Sequence, residues 1–216
     1  DCGGACGKCA INKACNVNAD CNQGLCNNKI CALPKTCNEL KVAQPGTPTG
    51  NYNIDPDGGG AIPALQVHCE MAVDVCGYTM VRFNDANLGS NQDLYASKCS
   101  AAGMEVIVAR TKAHATSIYT WNGNVTPNLY NVFPKYNGAQ NIFNWTAKCK
   151  GVDCSFWMTD NANGDVACGG FEPNGDNNVN YRIYKWNEGC GVQGGWNDAN
   201  NTMNYTGWVI CSTNDC

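Results

Sequence analysis

The chain has 216 residues with a formal charge of −4 and only 15% charged side chains, a balance that excludes an electrostatic nucleic-acid binder. Its 17 cysteines exclude an ordinary reduced cytosolic protein, and two histidines with a single Cys-x-x-Cys, at Cys6 and Cys9, make a multi-zinc protein a poor alternative. No apolar run approaches the roughly 18 residues of a membrane span, so the chain reads as an oxidised, secreted, disulfide-stapled protein.

The first 36 residues carry seven cysteines (Cys2, Cys6, Cys9, Cys15, Cys21, Cys26 and Cys31) and hardly any large apolar side chain. Ile11, Val17, Leu25, Ile30 and Leu33 are too few to form a core. The segment is therefore expected to be a cysteine-rich disulfide module of tight loops, residues 1–36, shaped by cross-links and suited to spacing or docking. With no signal peptide visible, Asp1 is expected to begin a mature or processed chain.

From Cys37 the aromatic residues arrive and the cysteines thin to ten. Short apolar or alternating runs predict strands at Leu65–Val67, Tyr78–Phe83, Met104–Val108, Ser155–Met158, Tyr181–Trp186 and Trp208–Cys211. Ser90 with Asp93 reads as a cap leading into a helix over residues 94–99 that ends near Gly103. The 31 asparagines and 24 glycines favour turns. The expected fold class is α+β: the small module, then residues 37–216 as a strand- and loop-rich domain with few helices and a core of Trp, Tyr and Ile. Ten cysteines can pair internally, but seven cannot, and 17 is odd. At least one thiol is free or bonded to another chain.

Within the larger part, Cys37-Asn38-Glu39-Leu40 is followed by Pro48-Thr49-Gly50-Asn51-Tyr52-Asn53-Ile54-Asp55-Pro56-Asp57-Gly58. Val67-His68-Cys69-Glu70-Met71 and Gly77-Tyr78-Thr79 come next. In order and spacing this stretch, residues 37–83, resembles the opening of fibrinogen-like (fibrinogen C-terminal type) domains. The resemblance implies a short helix after Cys37, an extended pair of strands and a Cys37–Cys69 bridge closing them. It also implies non-catalytic recognition outside the cell. Beyond residue 83 the family pattern survives as echoes. One is Asp160-Asn161-Ala162-Asn163-Gly164-Asp165 leading to Cys168-Gly169-Gly170-Phe171. The other is Gly194-Gly195-Trp196-Asn197-Asp198, whose Trp-Asn-Asp also resembles C-type lectin-like domains.

These echoes define the candidate sites. Asp160, Asn161, Asn163 and Asp165 offer the hard oxygens that calcium takes, although the same residues suit a plain tight turn. Glu172 and Asp176 form an acidic loop. Trp196 beside Asn197 and Asp198 combines an aromatic face with amide and carboxylate groups, the chemistry of sugar recognition, or else is a core tryptophan followed by a turn-capping pair. Asn124, Asn144, Asn200 and Asn204 head Asn-x-Thr glycosylation sequons. Glycans on the last two would crowd the Trp196 loop.

Any histidine-dependent catalysis must use His68 or His114, and His68 abuts Cys69. No His-Glu-x-x-His, Gly-x-Ser-x-Gly or phosphate loop is present. The chain is thus expected not to be an enzyme. Its leading function is adhesion to glycans or glycoproteins on surfaces. The alternative is a structural subunit of an extracellular filament, sheath or matrix, partnered by other copies of itself through module-to-domain contacts.

Overall fold

The structure is a computed structural model; it describes residues 2, 7–84, 92–107, 111–123 and 208–216, and the backbone of 129–131, 148–149, 152–153, 182–185 and 195–198. The chain divides into two compact units. One comprises Asp1–Val81, Ala101–Met104 and Ser212–Cys216; the other comprises Arg82–Ser100 and Glu105–Cys211. The first unit thus holds both the cysteine-rich segment and the stretch from Cys37 to Val81.

Among its described residues the cysteine-rich segment has a 3-10 turn, Asn18–Asp20, and a hairpin of β1 (Leu25–Asn27) and β2 (Ile30–Ala32). Asn28 and Lys29 join the two strands with φ of 50° and 66°. Two successive left-handed residues make a turn whose twist matches that of the strands. The hairpin register sets Cys26 opposite Cys31, yet the two are not bonded to each other. The bridges are Cys2–Cys9, Cys15–Cys26 and Cys21–Cys31. Cys9, Cys15, Cys21 and Cys31 are buried together as the segment's core. Sulfur stands here in place of the aliphatic residues that the composition lacks.

Helix α1 (Cys37–Ala43) follows, with Thr36 as its N-cap accepting a hydrogen bond from the Glu39 amide at 3.0 Å. Strands β3 (Gly50–Ile54), β4 (Leu65–Glu70) and β5 (Tyr78–Asn84) come next. β4 pairs antiparallel with both, placing Gly50 opposite Cys69, Tyr52 opposite Val67 and Cys69 opposite Thr79. Along β4, Val67 and Cys69 are buried while Gln66, His68 and Glu70 are not, the two-residue period of a half-covered sheet. Pro34, Leu40, Ile54, Val67, Met71, Tyr78, Met80 and Met104 are the unit's buried apolar side chains among the described residues.

In the second unit, α2 (Gln92–Ala101) occupies the stretch where a helix is expected; Ser90, its expected cap, lies outside the described residues. The left-handed Gly103, at φ +70°, follows its C-terminus. β6 (Glu105–Val106) is shorter than the predicted Met104–Val108. A further helix, α3 (Lys112–Trp121), is one the sequence reading did not anticipate. Its Ala-, Ser- and Thr-rich sequence carries no helix-favouring charge pairs and has two β-branched threonines. Three features decide for helix instead. Thr111 caps it by accepting from the His114 amide, Gly123 at φ +90° ends it, and His114, Ile118 and Asn122 form a buried stripe at four-residue spacing.

β7 (Leu129–Asn131) is followed by the short antiparallel pair of β8 (Lys148–Cys149) and β9 (Val152–Asp153). β10 (Arg182–Lys185) and β11 (Gly195–Asp198) form with β7 a sheet of order β11-β10-β7. β10 and β12 (Trp208–Ser212) occupy the predicted Tyr181–Trp186 and Trp208–Cys211, whereas Ser155–Met158 lies outside the described residues. Ile107 donates to the Ile210 carbonyl at 3.0 Å, and Cys99 is bonded to Cys211, both fully buried. The described core of this unit is Ile107, Ile118, Val209 and Ile210 around that bridge. Trp121 is the one tryptophan with a described side chain, and it is only half-buried. Among the described residues, sheets, three helices and several disulfides make the fold α+β and disulfide-rich.

Candidate functional site

The densest set of specific interactions in the first unit converges on α1. Its first residue, Cys37, is bonded to Cys69 in the middle of the antiparallel strands, the pair that the fibrinogen-like resemblance implies. The Cys37 amide donates to Thr79 Oγ1 at 3.0 Å, and Asn38 Oδ1 accepts from the Gly77 amide at 3.2 Å. Gly77 has to be glycine for a steric reason. A Cβ there would lie 2.5 Å from the Cys37 carbonyl oxygen and 3.0 Å from Asn38 Cα. The Gly77-Tyr78-Thr79 motif is therefore the seat of α1: its glycine admits the helix backbone and its threonine holds the first amide.

One turn further along, Lys41 Nζ donates to three main-chain carbonyls, those of Met71, Asp74 and Cys76, at 2.8, 2.6 and 2.9 Å. An ammonium has three N–H donors, and here each has a carbonyl partner. The β4–β5 loop thus folds around a cation supplied by the protein itself. Asp74 completes the loop by accepting from the Cys76 amide and the Tyr78 hydroxyl.

At the other end of α1, Gln44 Nε2 donates to the carbonyls of Asn18 and Gly24, at 3.2 and 2.6 Å, and lies 3.5 Å from that of Cys21. Asn18 Nδ2 donates back to the Ala43 carbonyl at 3.4 Å. The cysteine-rich segment is thereby docked on α1 through main-chain carbonyls.

The chain's last residues reach the same place. Cys216 is bonded to Cys76, Thr213 and Thr79 share a hydroxyl hydrogen bond of 3.0 Å, and Thr36 donates to Asp215 at 2.6 Å. α1 is thus the junction of three segments: the cysteine-rich module, the β4–β5 loop and residues 212–216. Sequence reading missed Lys41, Gln44 and Asp215 because long-range partnering with main-chain carbonyls leaves no motif. The one local signal was the Thr36-x-x-Glu39 cap.

Three titratable groups in this unit are perturbed, and burial raises the Tyr52 hydroxyl above its ordinary value. The amide of Ile62 beside Asp57, helped by Asp55 and the Gly60 amide, holds the Asp57 carboxyl below its usual range. Burial pushes the pKa of His68 below its ordinary value of 6.5, and Glu70 on the same strand opposes that. A depressed histidine means that the unfolded chain takes up the proton first. Stability is therefore unaffected by His68 at higher pH and falls as the pH drops below 6.5. His68→Gln is expected to flatten that acid-side slope in urea unfolding series; an unchanged slope would assign it to other groups.

The sulfurs of Cys15, Cys21 and Cys31 lie within 4.8 Å of one another, the spacing of a metal cluster. Their engagement in disulfides leaves no thiolate among them to bind one. Asp160, Asn161, Asn163 and Asp165, the candidate calcium ligands, lie outside the described residues, as do Glu172, Asp176 and the sequon residues Asn124, Asn144, Asn200 and Asn204. Trp196, Asn197 and Asp198 are placed by backbone on β11, where they pair with Tyr184, Ile183 and Arg182. The loop expected there is a strand: a glycine pair precedes the segment, but antiparallel pairing with β10 extends it.

The family model of the fibrillar collagen C-terminal domain matches residues 28–82. The span is about a quarter of the chain and overlaps the 37–83 stretch that resembles fibrinogen-like domains. It runs from the β1–β2 turn through α1 to β5 and so contains the whole α1 seat. No curated protein matches the chain, and no solved structure does. Among the described residues no helix is long and apolar enough to cross a membrane.

Proposed function

We propose that the chain is a secreted, non-catalytic structural protein of the extracellular matrix or of an extracellular filament, which associates with other copies of itself. The observation that carries this reading is the fibrillar collagen C-terminal domain match over residues 28–82, which coincides with the segment where three parts of the chain are stapled together. The six disulfides among the described residues suit an oxidising compartment. They also let tension pass from the cysteine-rich module to residues 212–216 through covalent and charge-assisted links. Glycans at Asn124, Asn144, Asn200 and Asn204 would coat such an assembly, and calcium at Asp160–Asp165 would stiffen it.

Negative-stain microscopy of native, unreduced protein, with reducing and non-reducing gels of the same sample, tests the reading. The expected result is regular fibres or a high-mass ladder that collapses to the 23.1 kDa chain, plus any glycan, on reduction or denaturation. Discrete monomers that bind a glycan panel, and that free sugar or EDTA elutes, would replace assembly by recognition at Trp196, Asn197 and Asp198.

A further inference from the structure

We infer that the Cys76–Cys216 bridge is an exchangeable link through which copies of this chain join covalently, an inference that rests on the assembly reading and names its contact. The observation is a difference in access among the described bridges. Cys21–Cys31, Cys37–Cys69 and Cys99–Cys211 have both cysteines buried, while Cys2–Cys9 and Cys15–Cys26 each have one. Cys76 and Cys216 are both part-exposed. Their neighbours open the way further: Val75 is 90% exposed, and Asp215 is exposed. A thiolate attacks a disulfide in line with the S–S axis and needs one sulfur open while the other departs. Among the described bridges, 76–216 is the one with both cysteines part-exposed.

What surrounds the pair suits exchange between copies. Cys76 sits in a loop that Lys41 holds by the carbonyls of Met71, Asp74 and Cys76, so this half stays in place when the bridge opens. Cys216 follows a segment held by the Thr213–Thr79 and Thr36–Asp215 hydrogen bonds, with Ser212 and Asn214 buried.

The chemistry needs no net oxidant. A low-molecular-weight thiolate attacks Cys216 Sγ, forming a mixed disulfide there and releasing the Cys76 thiolate. That thiolate attacks Cys216 Sγ of a second, closed copy. An intermolecular Cys76–Cys216 bond forms, the second copy's own bond breaks, and its Cys76 leaves as the next thiolate. Each step breaks one S–S bond and makes one. Successive steps join copies head to tail, a heterologous contact that extends into a chain unless it closes into a ring.

Isotope mixing of the full-length protein tests this. Equal amounts of ¹⁴N- and ¹⁵N-labelled chain are incubated with a trace of reduced glutathione, quenched by alkylation, digested without reduction and read by mass spectrometry. Mixed-isotope Cys76–Cys216 peptide pairs are expected to rise to about the abundance of same-isotope pairs, while Cys37–Cys69 and Cys99–Cys211 stay isotopically pure. Mixed pairs spread over all the bridges would mean general scrambling and overturn the inference. So would pure 76–216 pairs, or alkylated Cys76 and Cys216 without mixing. Fibres built with isotopically pure 76–216 pairs would leave the assembly reading standing and remove this route. Mixed pairs confined to small closed rings would keep the exchange and remove the filament.

Discussion

Lys41→Met is expected to lower the free energy of unfolding by about 2–3 kcal/mol, read as a fall in the urea midpoint of the non-reduced protein. Methionine keeps the length and the apolar stem of lysine but none of its donors. The Met71, Asp74 and Cys76 carbonyls, now 2.6–2.9 Å from Nζ, would then converge on an apolar thioether. Three oxygens turned toward one point repel each other unless a cation lies between them. The half-buried setting of Lys41 keeps the estimate at the lower end, because some of those oxygens regain water. Lys41→Arg is expected to fall between the two, since a planar guanidinium cannot aim three donors around one atom. A midpoint within error of wild type for Lys41→Met would show that the loop is held without the ammonium, by Cys76–Cys216 and Asp74.

Gly77→Ala is expected to cost about 3 kcal/mol or more, measured in the same way. The added methyl would lie 2.5 Å from the Cys37 oxygen, 2.8 Å from the Cys37 carbonyl carbon and 3.0 Å from Asn38 Cα, all of them backbone atoms. A side chain in that position would swing aside. The first turn of α1 is instead pinned by the Cys37–Cys69 bridge and by the Cys37 amide bond to Thr79. Gly50→Ala is the control. The nearest atoms to its Cβ are the ring carbon and hydroxyl of Tyr52 at 3.6 and 3.9 Å, so a change within about 0.5 kcal/mol is expected. Equal effects of the two substitutions would mean that the cost belongs to strand glycines in general rather than to the close approach under α1.

These two residues show how unevenly the fold is written in the chain. Gly77 sits in a motif and Lys41 does not, yet both hold the same helix. Where partners are close in sequence, as in the Thr36–Glu39 cap or the alternation along β4, the physics is local and can be read directly. α3 was equally local, capped by Thr111 and ended by Gly123, but its Thr- and Ser-rich composition masked the stripe of His114, Ile118 and Asn122. The resemblance that pointed to Cys37 and Cys69 carried information that spacing alone does not hold. The candidate ligands Asp160–Asp165, Glu172 and Asp176 lie outside the described residues. Trp196, Asn197 and Asp198 proved to occupy a strand because pairing with β10, invisible in their own three residues, outweighs a turn-prone composition.

By itself the sequence determined that the chain depends on disulfides, that its first 36 residues have no aliphatic core, and that short strands outnumber helices. All three follow from composition, which sets how much apolar area can be buried and how many cross-links must make up the difference. Apart from Cys37–Cys69, which the resemblance implied, only the tertiary structure decided which of the described cysteines meet. Cys26 and Cys31 face each other across a hairpin and still bond elsewhere, and Cys76 finds Cys216 at a separation of 140 residues. Pairing at that range is set by where the strands and α1 place the two Cα atoms, and every cysteine looks alike until they have done so.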